Sequence, residues 1–361
     1  VTDTRDSVLL SDHTTLGLGG PARTFVSADS TDGLIGAVAG ADAAGEPVLV
    51  LGGGSNLVVS DAGFPGTVVR VASQGVSFEE TGELGADGEE VVVLRAEAGA
   101  EWDPLVRRTV EEGLNGLEFL SGIPGLVGST PIQNVGAYGQ DVSQTIREVL
   151  VYDRRTGRRR TLTGAECGFT YRDSVFKGDD RYVVCEVAFA LHRGKLSRPV
   201  AYAEVARALG VEAGTRVPLD QARETVLSLR RRKGMVLDPQ DPDTRSAGSF
   251  FTNPVVTAEE YEAVRARAEE LLGADTAMPA HPDGGGGVKL SAAWLIDKAG
   301  FKGHAHGTAR ISSKHVLALT TVPGAPSAED LLELARRIRD GVEERFGVRL
   351  VNEPVMVGIS L

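Results

Sequence analysis

Short apolar and β-branched runs broken by glycine fill the first two thirds of the chain, and stripes of helical period fill the last third. Residues 47–71 read as strand, glycine loop, strand, turn, strand: PVLVLG is a buried strand, GGSN the loop, and LVVSD and GTVVRV short β-branched runs. The acidic stretch 74–90 predicts an exposed hairpin or loop, and EEVVVLRAEAGA (89–100) another strand. A helix should follow, with Asp103 as cap, Pro104 at its first position, and Leu105, Val106, Val110 and Leu114 on one face. Gly113 and Gly116 end it. Residues 148–163 predict a hairpin turning at Thr156-Gly157, and 181–191 a strand with alternating faces. A helix over about 219–232 ends in Arg230, Arg231, Arg232 and Lys233.

Residues 234–249 are rich in Pro, Asp and Gly and read as the connection into a further domain. There the pattern predicts a helix over 258–272 with Thr257 and Glu260 as a capping box. After the Gly284–Gly287 loop comes an apolar helix near 291–299. A last helix spans 328–346, with Ser327 as cap, Gly347 as stop, and a stripe of Leu331, Leu334, Ile338, Val342 and Phe346. The end, VRLVNEPVMVGISL, reads as a strand.

Composition narrows the function classes. A chain of 361 residues suits two or three subdomains. No apolar run approaches 18 residues, so no membrane span is expected, and no secretory signal is visible, so a cytoplasmic protein is expected. The net charge of −12 repels phosphate backbones, which argues against nucleic acid as a general partner. A small anion needs only a local cluster of cations. Cys167 and Cys185 form no CxxC pattern and read as free thiols in a reducing compartment. His304, His306 and His315 make no metal-ligand pattern, so no metal is expected. A monomer is the default expectation.

Two basic clusters have competing readings. The arginines at 154, 155, 158, 159 and 160 could bind an anion, but a solvated hairpin tip is favoured. The run Arg230–Lys233 suits a helix C-terminus, while its length leaves a diphosphate or NADPH contact as a fair rival.

Glycine is the outlier, at 45 residues, many in short clusters. No GxxxxGK[ST] occurs. The dinucleotide fingerprint also fails, because Leu57 stands where the third glycine should be. The stretch SGIPGLVGSTPIQNVGAYG (121–139) differs in kind. It carries five glycines, two prolines, no charged residue and no amphipathic period. A surface loop would be more charged and a core element less rich in glycine, so a backbone contoured to a ligand explains both.

With LGGGSN (51–56), YRDSVFK (171–177), RSAGSFFTNP (245–254), SAAWLIDKAGFKG (291–303) and NEPVMVG (352–358), that stretch makes six motifs in one order. Together they resemble the UDP-N-acetylenolpyruvoylglucosamine reductase family from about residue 12 to 358. The resemblance implies an α+β protein: a vanillyl-alcohol oxidase-type FAD-binding fold of two α/β subdomains and a C-terminal α+β substrate domain. It places subdomains at 12–72 and 73–232, the substrate domain at 233–352, and a strand returning to the FAD region at 353–361. It implies FAD as cofactor, NADPH as co-substrate, and reduction of UDP-N-acetylglucosamine enolpyruvate to UDP-N-acetylmuramate.

Carried over by motif, FAD contacts fall on Gly52, Gly53, Gly54, Ser55, Asn56 and Leu57. A second set is Gly122, Ile123, Pro124, Gly125, Gly128, Ser129, Gln133, Asn134, Gly136, Ala137 and Tyr138. Arg172, Ser249 and Glu353 take the catalytic positions. Tyr202, Arg230, Lys233, Asn253 and Lys289 are expected to meet substrate or NADPH, with Ser313–His315 as weaker candidates. The implied roles suit the residue types. A guanidinium stays charged and can fork to a carboxylate beside a developing enolate. A serine hydroxyl keeps its proton until a strong base needs it. Glu353 would have to be protonated or hydrogen-bonded beside such an anion. Two rivals stay open: an alcohol oxidase of the same flavin architecture, and a non-catalytic nucleotide-binding sensor, which would hold no flavin.

Overall fold

The computed structural model describes residues 2–361. They form two compact units. The first takes the chain up to Val8, Ala22–Gly53 and Pro65–Val236; the second takes Leu9–Pro21, Gly54–Phe64 and Leu237–Leu361.

Two sheets build the first unit. One orders the strands Thr2–Leu9, Pro21–Ala28, Phe64–Val71 and Val48–Leu51, the last two parallel with Val48 opposite Thr67. The other is antiparallel and orders Arg158–Thr163, Ile146–Asp153, Tyr182–Arg193, Glu90–Glu97 and Val76–Leu84, with Leu114–Asn115 added on Tyr182–Arg193. Val92, Leu94, Val149, Val151, Val187 and Phe189 are inward positions of this sheet and anchor one core. A smaller core of Phe119, Val200, Val205, Val226 and Leu229 lies under the helices Ala203–Leu209 and Leu219–Arg232.

The hairpin at 148–163 turns where expected. Its arginines meet carboxylates: Arg154 pairs with Asp42 and Asp180, Arg155 with Asp179, and Arg159 with Asp32. Arg155 and Arg159 are open and match the solvated-tip reading, where pairs add little stability, whereas the Arg154 side chain is only 15% exposed.

The acidic stretch at 74–90 is more ordered than its composition suggests. Val76–Leu84 is a full strand on Glu90–Glu97. The helix expected to start at Asp103 starts at Trp102, with Glu101 at the cap position and no side-chain cap bond. Asp103 therefore lies inside the first turn, and Pro104 sits there too, where its missing N–H costs nothing.

The second unit follows the sequence pattern closely. Thr257 and Glu260 close a capping box on the helix Ala258–Leu272, and Ser291 caps Ala292–Lys298. Ser327 accepts from Asp330 N at the start of Ala328–Phe346, and Gly347 stops that helix at φ 73°. Its stripe from Leu331 to Phe346 is buried, and Trp294 packs on Phe346 with ring centroids 5.8 Å apart. Only Val355–Val357 of the chain end is a strand, paired in parallel with Leu57–Val59.

Contacts between distant residues set the membership of the second unit. Within the second unit Thr15 Oγ1 donates to Ser246 O at 2.7 Å, and Asp61 accepts from Ala328 N at 3.0 Å. Such long-range bonds tie residues 9–21 and 54–64 to the C-terminal part of the chain.

Candidate active site

In the first unit, two glycine loops touch backbone to backbone. A Cβ on Gly52 would lie 2.6 Å from Ser129 Oγ, and one on Gly53 would lie 2.9 Å from Gly125 Cα. Any side chain there would push the loops apart. The 121–139 stretch is pinned by Trp102 N to Gly125 O at 3.0 Å, Val127 N to Ala100 O at 2.9 Å, and Gly128 N to Ala98 O at 2.9 Å. Asn134 and Tyr138 hold left-handed φ of 46° and 52°, unusual for side-chain-bearing residues. Asn134 spends both ends of its amide locally, donating to Thr170 O and accepting from Ser143 N.

Asp103 is what holds the start of this loop. Its Oδ1 accepts from Gly122 N at 2.6 Å, and Arg223 forks onto both carboxylate oxygens at 2.7 and 2.9 Å. Burial alone would raise its pKa, but Arg223 and the Gly122 N–H outweigh burial and hold it below the ordinary value. Beside Gly122 lies Arg230. Its Nη2 donates to Met235 O at 2.7 Å, while its Nε is buried with no protein partner. Burial pulls the pKa of this guanidinium down. An orphaned buried donor next to a glycine loop suits an acceptor supplied from outside the protein.

The same unit carries an aromatic patch. Tyr138 meets Tyr202 edge-on with centroids 5.6 Å apart, and Lys233 Nζ lies 5.6 Å from the Tyr138 ring centre. Lys233 also pairs with Glu204 at 2.6 Å. Burial pushes the Tyr138 hydroxyl up to about 12 and raises that of Tyr202. Arg172 donates through Nη2 to Gly136 O at 2.6 Å, with its guanidinium 5.3 Å from the Tyr171 ring centre. Its φ is 56°, a left-handed conformation that costs roughly 1 kcal/mol in a non-glycine residue and often marks a functional position.

The second unit holds Gly54, Ser55, Asn56 and Leu57. Gly54 has no room for a side chain, since a Cβ would strike His13 O at 1.9 Å. Asn56 O accepts from Val355 N at 2.9 Å. Ser249 follows Gly248 (φ 74°) and precedes the buried pair Phe250 and Phe251, whose rings meet at 5.1 Å. Phe250 O accepts from Glu353 N at 2.8 Å, and Phe251 bridges Asn352. Ser249 and Glu353, 104 positions apart in the numbering, therefore sit on neighbouring segments of this unit.

Asn253 uses its Oδ1 to accept from Ala292 N at 3.0 Å, fixing the start of that helix. Lys289 lies on Val288–Leu290, opposite Val255 and His281. Ser313 is committed to Asp243, through its hydroxyl at 2.6 Å and its N–H at 3.0 Å, and Lys314 to Asp241 at 2.5 Å.

Three carboxylates have roles at these places that the sequence did not indicate: Asp103, Glu204 and Glu118. Glu118 is fully buried and accepts from Gly116 N at 2.6 Å and Arg198 N at 2.5 Å, while burial pushes its pKa up. A charge inside the apolar run LEFL was the available signal. Asp103 offered only a helix-cap reading, and Glu204 carried no such signal. Burial pushes both cysteine thiols up to about 11, which makes them inert. Among the described residues, the group close enough to share a metal is Asp87, Glu89 and His192, and Arg198 and Arg216 already pair with its two acids. Among those residues, no helix is long and apolar enough to cross a membrane.

A family model described as UDP-N-acetylenolpyruvoylglucosamine reductase, C-terminal domain, matches residues 239–357, and one described as FAD binding domain matches residues 22–163. The UDP-N-acetylenolpyruvoylglucosamine reductase of Thermobifida fusca is 60% identical over 356 residues, 98% of each chain. That of Streptomyces avermitilis is 56% identical over 355 residues, 98% of this chain and 94% of the other. The crystal structure of the Thermus caldophilus enzyme of that name is similar with a TM-score of 0.65 at 27% identity, covering 99% of both chains.

Proposed function

The chain belongs to the UDP-N-acetylenolpyruvoylglucosamine reductase family, and on that premise we propose that NADPH is its reductant and that Arg172, Ser249 and Glu353 manage the charge and the proton. It is an FAD-dependent oxidoreductase of peptidoglycan precursor synthesis, converting UDP-N-acetylglucosamine enolpyruvate to UDP-N-acetylmuramate. It acts in the cytoplasm as a monomer, and its product serves cell-wall growth, cell shape and division.

The observation that carries the reading is the close approach of Gly52 and Gly53 to Gly125 and Ser129, with the orphaned Arg230 Nε beside Gly122. Uncharged backbone and side-chain donors at 121–139 suit phosphates and ring heteroatoms. The residues of the first loop that would hold FAD are Gly52–Leu57, and those of the second Gly122–Tyr138. Bound there, FAD would supply two-electron redox chemistry between NADPH and the terminal vinyl carbon of the substrate.

Saturating that carbon leaves negative charge on its neighbour and on the attached carboxylate. Arg172 stabilises this charge with a permanent cation, most effectively in a dry, preorganised site. The Ser249 hydroxyl gives a proton to the enolate carbon, a transfer favourable because the enolate is the stronger base. Glu353 supports that transfer from the segment hydrogen-bonded to Phe250. Tyr202, Arg230 and Lys233 contact the nucleotide and its diphosphate. Asn253 and Lys289 contact the sugar portion, the amide oxygen of Asn253 being already engaged by Ala292 N.

Anaerobic stopped-flow absorbance tests this. NADPH should bleach the flavin in the wild type and in Ser249→Ala at similar rates. Reoxidation by the enolpyruvyl substrate should slow in Ser249→Ala by about 10²–10⁴-fold, the range for loss of a general acid. Normal turnover in that variant removes Ser249 from the mechanism.

A further inference from the structure

Lys233 is already engaged by a carboxylate of its own unit. Its Nζ lies 2.6 Å from Glu204 Oε2, and both side chains are about one third exposed, at 33% and 35%. Glu204 stands in the first turn of the helix Ala203–Leu209, directly after Tyr202. Tyr202 meets Tyr138 edge-on, and Lys233 faces the Tyr138 ring. One small patch therefore presents two aromatic rings, an ammonium and a carboxylate. Arg230, on the helix that Lys233 ends, adds a cation whose field reaches Tyr138.

A carboxylate in this position is an odd neighbour for a cation meant to meet an anion. A pair this exposed adds little to stability. It does place a negative charge where incoming phosphate oxygens would have to arrive, and like charges at such range oppose each other. We propose that Glu204 is a positioning residue that holds Lys233 as an internal counter-ion, so that a diphosphate ligand must displace it and binds more weakly than the cations alone would allow. The inference rests on the reading of Lys233 as a diphosphate contact. The diphosphate could be that of the uridine nucleotide or that of the pyridine nucleotide. In either case a diphosphate brings more charge and more acceptors than one carboxylate and wins the ammonium. The carboxylate then recovers the ammonium when the ligand leaves.

The sign of the effect separates this role from a structural one. If Glu204 only tethered the Tyr202 helix to Lys233, removing its charge would loosen the patch and weaken binding. If it competes, removing its charge tightens binding. Isothermal titration of the FAD-loaded full chain with UDP, and separately with NADP⁺, makes the test, using wild type, Glu204→Gln, Glu204→Ala, Lys233→Met and the Glu204→Gln/Lys233→Met double variant. At low salt, Glu204→Gln and Glu204→Ala should lower the Kd of one probe by about three- to fivefold, as expected for a partly exposed pair. The responding probe names the source of the diphosphate. High salt should close the gap, because exposed charges are screened. Lys233→Met should raise that Kd about tenfold, and Glu204→Gln should change nothing in its background. Unchanged or weaker binding of both probes by both Glu204 variants, with Lys233→Met still weakened, overturns the inference and leaves the Lys233 reading standing. Full binding of both probes by Lys233→Met overturns both.

Discussion

A Cβ on Gly53 would strike the Gly125 backbone at 2.9 Å, whereas a Cβ on Gly284 or Gly286 would meet nothing within 4 Å. Both segments stand out equally in the sequence as glycine clusters. In the first unit the glycines are required by packing: Gly52, Gly53 and Gly128 each face atoms closer than 3.0 Å to an added Cβ. In the second unit, Gly284 and Gly286 answer only to their backbone, with φ of 87° and 96° in a turn before Val288–Leu290. A glycine cluster therefore marks an obligatory close approach only where backbones must meet, and the sequence alone does not distinguish the two cases.

Substitutions that add one methyl can break this comparison. Gly128→Ala should have the largest effect, since its Cβ would lie 2.5 Å from Ala98 Cβ and 2.9 Å from Ala98 Cα. Overpacking of this kind costs about 3 kcal/mol at the upper end, readable as a lower urea midpoint of the apoprotein and a raised Kd for FAD by flavin fluorescence. Tolerance there would mean that the loop yields and the contrast is only apparent.

Glu118→Gln comes next, at about 2 kcal/mol. The amide would turn an N–H₂ toward either Gly116 N or Arg198 N, leaving a buried donor unsatisfied. Thermal unfolding of the apoprotein reads it directly.

Asp103 sharpens the comparison through pH. Its carboxyl is depressed in the folded chain, so its contribution is present above its unfolded value near about 3.9 and is lost as pH falls through the lower folded value. Acidification below about pH 4 should therefore release the Gly122 end of the loop, seen as rising free-flavin fluorescence. Asp103→Asn removes that titration and should flatten its part of the acid dependence. An unchanged acid profile in that variant would remove Asp103 from the holding of the loop.

The smallest effects belong to the second glycine cluster. Gly286→Ala should cost about 1 kcal/mol from its backbone conformation alone, with FAD affinity unchanged. Gly285→Ala, at an ordinary φ with Asp283 Oδ2 no nearer than 3.4 Å, should stay within about 0.5 kcal/mol of the parent.

Legibility followed the range of the interaction. The helix Ala328–Phe346 could be read end to end because Ser327, the apolar stripe and Gly347 act within a few residues of one another. The helix Thr31–Ala43 could not, because Gly33, Gly36 and Gly40 interrupt a stripe of only Leu34, Val38 and Ala41. For 74–90 the sequence left hairpin and loop open, and one-sided pairing of Val76–Leu84 on Glu90–Glu97, which tolerates the acids, gives the hairpin.

By itself, the sequence determined the family, through six motifs in order, and it offered Arg172, Ser249 and Glu353 as the candidates proposed for the charge and the proton. It also determined the caps and the helical stripes, because these depend on neighbours three or four residues away. Tertiary structure alone decided which glycines are sterically obligatory. It also decided that residues 9–21 and 54–64 join the C-terminal unit, that Asp103 serves Gly122 rather than a helix cap, and that Lys233 already has Glu204 as a partner. Each of these rests on a contact between residues distant in the chain, and no local pattern of polarity encodes which distant atom will fill a given space.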